Sequence, residues 1–214
     1  MNAEREKQLA AQAAAAFVED GMTVGLGTGS TVAYLLPALA SRKLSVRCVA
    51  TSVRTEQRAA ELGLPVEPFG SLDHLDIAID GADQVAPDGW LVKGGGGAHT
   101  REKIVAAAAT RFIVIADSTK PVLSLHPPVP VELLSFGLPS TLRRLGEVIV
   151  RDAPASPDGG IIADYIAPFD SPAEVAARLA STPGVVAHGL FEPSLVSMIL
   201  IGRAEKVEQR TPRT

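Results

Sequence analysis

Lys93 is followed by four consecutive glycines, Gly94 to Gly97, and Glu102 comes five residues after the last of them. A glycine run carries a heavy entropy penalty on folding, so it points to a backbone that must approach a ligand closely. Backbone N–H groups with one ammonium make a cradle for an oxyanion or a phosphate. A carboxylate beside such a cradle can be a general base, although a Glu in a helix's first turn also has the plainer role of complementing the helix dipole. Upstream, Asp80-Gly81-Ala82-Asp83 sets two carboxylates three residues apart after a predicted strand. Such a pair can share one proton, or each member can simply cap turn amides. Gly25, Gly27 and Gly29 precede Ser30 and Thr31 at a strand-to-helix turn, where the backbone and the helix dipole favour an anion. Ser30 as a plain N-cap is the simpler reading of that residue. Lys120, past another predicted strand, either reaches a phosphate or is an ordinary solvated lysine.

The elements around these segments alternate. An Ala-rich stretch over 3–19 predicts a helix, Met22 to Leu26 a strand, and a second helix starts near Ser30, with Pro37 set to kink it. Val46 to Ala50, Leu75 to Ile79 and Phe112 to Ala116 read as buried strands, separated by helical spacing at 53–62 and 100–109. Gln84 to Val92 holds a turn, Pro87-Asp88-Gly89, between two short extended runs. This pattern predicts an α/β fold, an open, mostly parallel Rossmann-like sheet covered on both faces. After Lys120 and Pro121 the pattern changes to β-α-β-β-α-β, ending on an extended run from Val185 to Phe191, which predicts a smaller ferredoxin-like α+β domain. The expected ranges are 1–125 plus 196–214 for the Rossmann-like domain and 126–195 for the smaller one. A last strand, Val196 to Ile201, is expected to return to the first sheet, and the polar tail from Arg203 to fray.

The chain has 214 residues, 46% hydrophobic and 21% charged, enough for one sizeable core or two small ones. A net charge of −4 gives no electrostatic footprint for nucleic acid. No apolar run approaches the roughly 20 residues that cross a bilayer, so no membrane partner is expected. One cysteine, Cys48, makes neither a disulfide nor a thiolate cage, and the charged, Ala-rich start does not read as a signal segment, which points to the cytoplasm. The four histidines, at 74, 99, 126 and 188, have no metal-ligand spacing, so no metal is expected. A dinucleotide site would want glycine where Ser30 stands and an acidic residue where the second strand ends in Thr51-Ser52; Arg54 leaves an NADP-dependent reductase as a lesser alternative.

Gly27-Thr28-Gly29-Ser30-Thr31, Thr51-Ser52, Asp80-Gly81-Ala82-Asp83, Lys93-Gly94-Gly95-Gly96-Gly97, Thr100-Arg101-Glu102-Lys103 and Ala116-Asp117-Ser118-Thr119-Lys120 together resemble the ribose-5-phosphate isomerase A family in order and spacing. Pro130-Val131-Glu132 and Pro183-Gly184-Val185-Val186 extend the likeness into the second domain. His99, where the family more often has an apolar residue, and the Pro-rich stretch 126–130 depart from the pattern. The resemblance implies interconversion of ribose 5-phosphate and ribulose 5-phosphate through an enediolate, in the non-oxidative pentose phosphate pathway, without metal or organic cofactor. It implies Glu102 as the base, Asp80 and Asp83 at the sugar hydroxyls and ring opening, and Lys93 at the oxyanion. Thr28, Gly29, Ser30, Thr31, Gly81, Ala82, Gly94, Gly95, Gly96 and Lys120 are implied as further substrate binders, and a homodimer or homotetramer as the assembly. A sugar-phosphate-sensing regulator is the rival from another class, although no DNA-binding arm is visible in the sequence.

Overall fold

The computed structural model describes residues 3–70 and 72–212; residues 1, 2, 71, 213 and 214, which the expected domain ranges include, lie outside them. The chain divides into two compact units, one of Met1–Ala82, Arg101–Lys120 and Ser194–Thr214, the other of Asp83–Thr100 and Pro121–Pro193. Residues 83–100, grouped with the first domain in the expected ranges, therefore lie in the second unit.

The first unit carries helices α1 (Ala3–Ala15), α2 (Val32–Ala40) and α3 (Val53–Glu61) and strands β1 (Thr23–Leu26), β2 (Arg47–Ala50), β3 (Leu75–Gly81), β6 (Ala109–Asp117), β12 (Met198–Arg203) and β13 (Lys206–Arg210). The strands form one sheet in the order β13-β12-β6-β3-β1-β2, parallel except for β13. Val24, Leu26, Ile77, Ile79, Ile113 and Ile115 are almost fully buried, the near-continuous apolar character of strands covered on both faces. Helix α1 buries Ala10, Ala11, Ala14 and Ala15, small side chains that let it lie close to the sheet. Helix α2 continues through Pro37. Cys48 is fully buried in β2, and burial pushes its thiol up to about 12.

From Arg203 to Arg210 the tail does not fray. Its first residues turn back and β13 pairs with β12 over five residue pairs, from Ile199–Arg210 to Arg203–Lys206. Val207 packs on the core, while Glu208 pairs with Arg210 and Arg203, so a polar run serves as a charged edge strand.

One carboxylate in α1 ties this return in place. Glu6 is 1% exposed; one oxygen accepts from Ser118 N at 3.0 Å and the other from Ala204 N at 2.9 Å. Hydrogen bonds from Ser118 and Ala204 hold its pKa down at about 2, against an ordinary 4.5. The folded state thus favours the ionised form, and this contribution to stability is complete above about pH 4.5 and lost as pH falls toward 2. Urea unfolding of wild type and Glu6→Gln is expected to give midpoints that differ at neutral pH and converge as pH falls toward 2. Curves that stay parallel over that range would contradict this role for Glu6.

The second unit holds β7 (Val129–Leu133), α5 (Leu138–Leu145), β8 (Val148–Val150), β9 (Ile161–Tyr165), α6 (Pro172–Ser181) and β10 (Val185–His188), the expected β-α-β-β-α-β order. Its antiparallel sheet runs β10-β7-β9-β8, so within the motif the strands lie fourth, first, third, second. Val131, Leu133, Leu145, Ala163 and Leu179 are fully buried at its core. A second small sheet, β11-β5-β4, joins β4 (Gln84–Val85), β5 (Leu91–Val92) and β11 (Leu190–Phe191), which is why 83–100 belong to this unit. The single extended run expected from Val185 to Phe191 is accordingly split. At Gly189 the chain leaves one sheet for the other: its N–H donates to Pro130 O at 2.7 Å and its carbonyl accepts from Lys93 N at 2.8 Å. A Cβ there would overlap the Lys93 carbonyl oxygen, so the crossing requires glycine.

Candidate active site

Because β1, β2, β3 and β6 are parallel, their carboxyl ends share one edge of the sheet, the edge where open α/β folds place ligands. There the turn after β1 meets the end of β3. Gly27 N donates to Ile79 O at 3.0 Å, and a Cβ on Gly27 would overlap the Asp80 carboxylate. Asp80 is 3% exposed, and its Oδ1 accepts from Thr28 N at 3.0 Å and Gly81 N at 2.7 Å. Asp80 thereby fixes the amide directions of the phosphate-type turn.

Thr28 has its hydroxyl in a cluster, 2.8 Å from both Thr51 Oγ1 and Ser52 Oγ. Ser52 caps α3 by accepting from Thr55 N, and Thr55 donates its own hydroxyl to Gly27 O at 2.9 Å. The Thr51-Ser52 motif thus braces the turn from beneath. Gly29 has φ +127° and is exposed with Ser30, whereas Thr31 is buried at the helix start and makes no side-chain cap. Val32 opens α2, so Ser30 is not its N-cap. Thr28 and Gly29 also border a cleft of about 300 Å³ that includes Arg54 and Arg58. At the end of β6, Asp117 is 1% exposed and accepts from Thr119 N at 2.9 Å, closing the turn that presents the half-buried Lys120.

Glu102 is carried to this edge by helix α4 (His99–Ala107). The helix ends against the start of β3, where Leu75 N donates to Ala108 O at 2.9 Å, so its N-terminal turn points to the carboxyl edge. Val105 lies over Gly25, where any Cβ would overlap its Cγ1. Glu102 shares that face one turn earlier, about 4.5 Å nearer the carboxyl edge. It is 5% exposed, which is not the setting of a carboxylate that merely complements a helix dipole from solvent.

In the second unit, Lys93 is 2% exposed, with its Nζ 5.4 Å from the centroid of the Phe191 ring. A cation over an aromatic face offsets part of the cost of burying the ammonium. Gly94 (φ +103°) and Gly97 (φ +74°) open and close the glycine turn, with Gly97 N donating to Gly94 O at 3.0 Å. A side chain at Gly94 would also press on the His99 ring, which is fully buried. Asp83 is exposed; its amide donates to Val92 O at 2.8 Å and its Oδ2 accepts from Gly95 N at 2.8 Å. Asp80 and Asp83 therefore each accept backbone amides. Ala82 ends the first unit and Asp83 begins the second.

Two further groups stand out in the structure that residue type alone does not mark. Arg151, just past β8, forks onto Asp164 and donates to the carbonyls of Gly94 and Gly95. Glu132, 2% exposed in β7, accepts from the hydroxyls of Thr100 and Ser156. The glycine run and the Pro130-Val131-Glu132 motif are the sequence signals that point toward them. Among the described residues no group of His, Cys, Asp or Glu could hold a metal ion, and no helix is long and apolar enough to cross a membrane.

The first unit is thus an α/β protein of Rossmann-like topology with a glycine turn and buried carboxylates at the ligand-binding edge. Residues 47–206 match the profile of the family described as Ribose 5-phosphate isomerase A (phosphoriboisomerase A), while residues 2–64 also match that of the DeoR C terminal sensor domain. A Ribose-5-phosphate isomerase A from Halobacterium salinarum is 41% identical, over 99% of this chain and 97% of its own. The structure of ribose 5 phosphate isomerase A from Neisseria gonorrhoeae superposes with a TM-score of 0.94 at 30% identity, covering 100% of this chain and 99% of that one. A D-ribose-5-phosphate isomerase in complex with phospho-erythronic acid gives 0.91 at 33%, covering 99% and 100%. The chain belongs to the ribose-5-phosphate isomerase A family.

Proposed function

We infer that this chain is an aldose-ketose isomerase interconverting D-ribose 5-phosphate and D-ribulose 5-phosphate. The observation that carries the reading within the family is Glu102, a buried carboxylate in the first turn of α4, the end of the helix that points to the carboxyl edge of the parallel sheet. Glu102 takes the proton from C2 of the open-chain aldose, leaving an enediolate, and returns it to C1, while the C2 hydroxyl proton is lost and the O1 oxygen gains one. General-base catalysis of this kind contributes about 10²- to 10⁴-fold, so donors to the enediolate oxygens must supply much of the rest. Lys93 and the Gly94 to Gly96 backbone take that role. Asp80 and Asp83 serve the sugar hydroxyls and ring opening, together with Gly81 and Ala82. Thr28 to Thr31 and Lys120 hold the phosphate, whose binding positions the reacting carbons.

The reaction belongs to the non-oxidative pentose phosphate pathway, and the buried, unreactive character of Cys48 suits a cytoplasmic setting. Self-association into a homodimer or homotetramer is supported by Leu123 and Phe136, 96% and 91% exposed in the second unit. Neither nucleic acid nor membrane is a partner. The test is a coupled assay of the pure protein on ribose 5-phosphate with no added metal. Turnover to ribulose 5-phosphate is expected, at a rate unchanged by EDTA; binding without turnover would favour the sensor reading, and reversible loss with EDTA would reveal a metal.

A further inference from the structure

We propose that Arg151 is a positioning residue that turns the glycine loop into a donor surface, by fixing the directions of two successive peptide planes. The proposal rests on the reading of that loop as part of the isomerase site. Four glycines in a row have no side chains to anchor them, and Gly95 and Gly96 are exposed, so the loop's conformation must be imposed by its surroundings. Arg151 Nη1 donates to Gly94 O at 3.1 Å and to Gly95 O at 3.0 Å. In a trans peptide the carbonyl and the following N–H point in opposite directions. Holding the Gly94 carbonyl toward the guanidinium therefore sends Gly95 N–H the other way, and it is found on Asp83 Oδ2 at 2.8 Å. By the same geometry, holding the Gly95 carbonyl turns Gly96 N–H away from Arg151.

The guanidinium is itself locked. Its Nε and Nη2 each donate to a different oxygen of Asp164 at 2.7 Å, and Arg151 N donates to Ile162 O at 2.9 Å, so the antiparallel pairing of β8 with β9 sets its position. The hydrogen bonds to Asp164 raise the pKa of Arg151, against burial, and the charges of Asp164 and Asp83 add to the effect. Arg151 thus carries a fixed positive charge behind the loop, with Gly95 N–H held by Asp83, Gly97 N–H by Gly94 O, and Gly96 N–H turned away from the guanidinium. A lysine has no planar fork with which to serve Asp164 and two carbonyls together.

The test compares full-length wild type, Arg151→Ala and Arg151→Lys by steady-state kinetics and by amide hydrogen exchange at Gly95, with Val114 in β6 as the reference for global folding. Arg151→Ala is expected to lose kcat about a hundredfold through misplaced donors. Exchange at Gly95, whose N–H is held by Asp83 in the wild type, should rise at least about tenfold, the equivalent of one lost net hydrogen bond, with Val114 unchanged. Millimolar guanidinium should restore part of kcat and slow the exchange, and Arg151→Lys should keep its fold yet behave more like the alanine variant than like wild type. Wild-type exchange at Gly95 in Arg151→Ala overturns the proposal, as does lost activity that guanidinium fails to restore. Should wild type prove not to be an isomerase, the exchange measurements decide the positioning role by themselves.

Discussion

Glu102→Gln is expected to fold as wild type does and to lose about 10²- to 10⁴-fold in kcat, with KM for ribose 5-phosphate little changed. Gln has the same length and can occupy the same buried position, so packing against the sheet is retained; what goes is the carboxylate basicity that the proposed transfer of the C2 proton needs. On the proposed assignment the phosphate is held by the β1–α2 turn and Lys120, which the substitution does not touch, and this separates kcat from KM. Burying a carboxylate is expensive, so the variant is expected to melt no lower than wild type. Kinetics by the coupled assay with thermal unfolding of the same samples provide the check. Wild-type turnover in Glu102→Gln would remove this residue from the mechanism, and a melting point well below wild type would make it structural.

Where function reads from sequence and where it does not follows from what holds each group. The glycine run, the β1–α2 turn and the Asp-Gly-x-Asp segment are local, since backbone φ and close approach demand particular residue types at particular positions. Gly27 must be glycine because Asp80 stands against it, and Gly94 because φ is +103° there. Arg151 is different. Its task depends on β8 pairing with β9 in a register that sets it against Ile162 and within reach of Asp164, and no local spacing encodes that pairing. Glu6 is hidden for a related reason: in an Ala-rich helix it looks like an ordinary solvated Glu, and only the return of β12 and β13 brings Ala204 N onto it. The same return explains the tail: Lys206–Arg210 has one apolar residue, Val207, and no alternation to mark a strand, and it is pairing with β12 that makes it one. The split at Gly189 had one cue, a glycine inside an apolar run, and such a residue marks a bend or a close backbone approach.

Gly27→Ala is expected to damage both stability and activity, because the added methyl has no free space and its neighbour is the carboxylate that orders the site. Its Cβ would overlap Asp80 Cγ and Oδ1 and stand 2.5 Å from Asp80 Cβ. The backbone cannot yield easily, since Gly27 N is held by Ile79 O at 3.0 Å and Gly27 O by the Thr55 hydroxyl at 2.9 Å. Asp80 must move instead, breaking its bonds from Thr28 N and Gly81 N and releasing the turn they align. Overpacking of this kind costs about 1–3 kcal/mol, and misaligned substrate-binding amides lower kcat/KM by about a hundredfold. Gly21→Ala is the control: φ is +84° there with no atom within 4 Å, so strain alone applies, about 1–2 kcal/mol. The two variants should therefore be comparably destabilised in urea, while only Gly27→Ala loses activity. Equal activity in the two would mean that Asp80 and the turn it orders do not govern turnover, and the catalytic assignment at this edge of the sheet would fall with them.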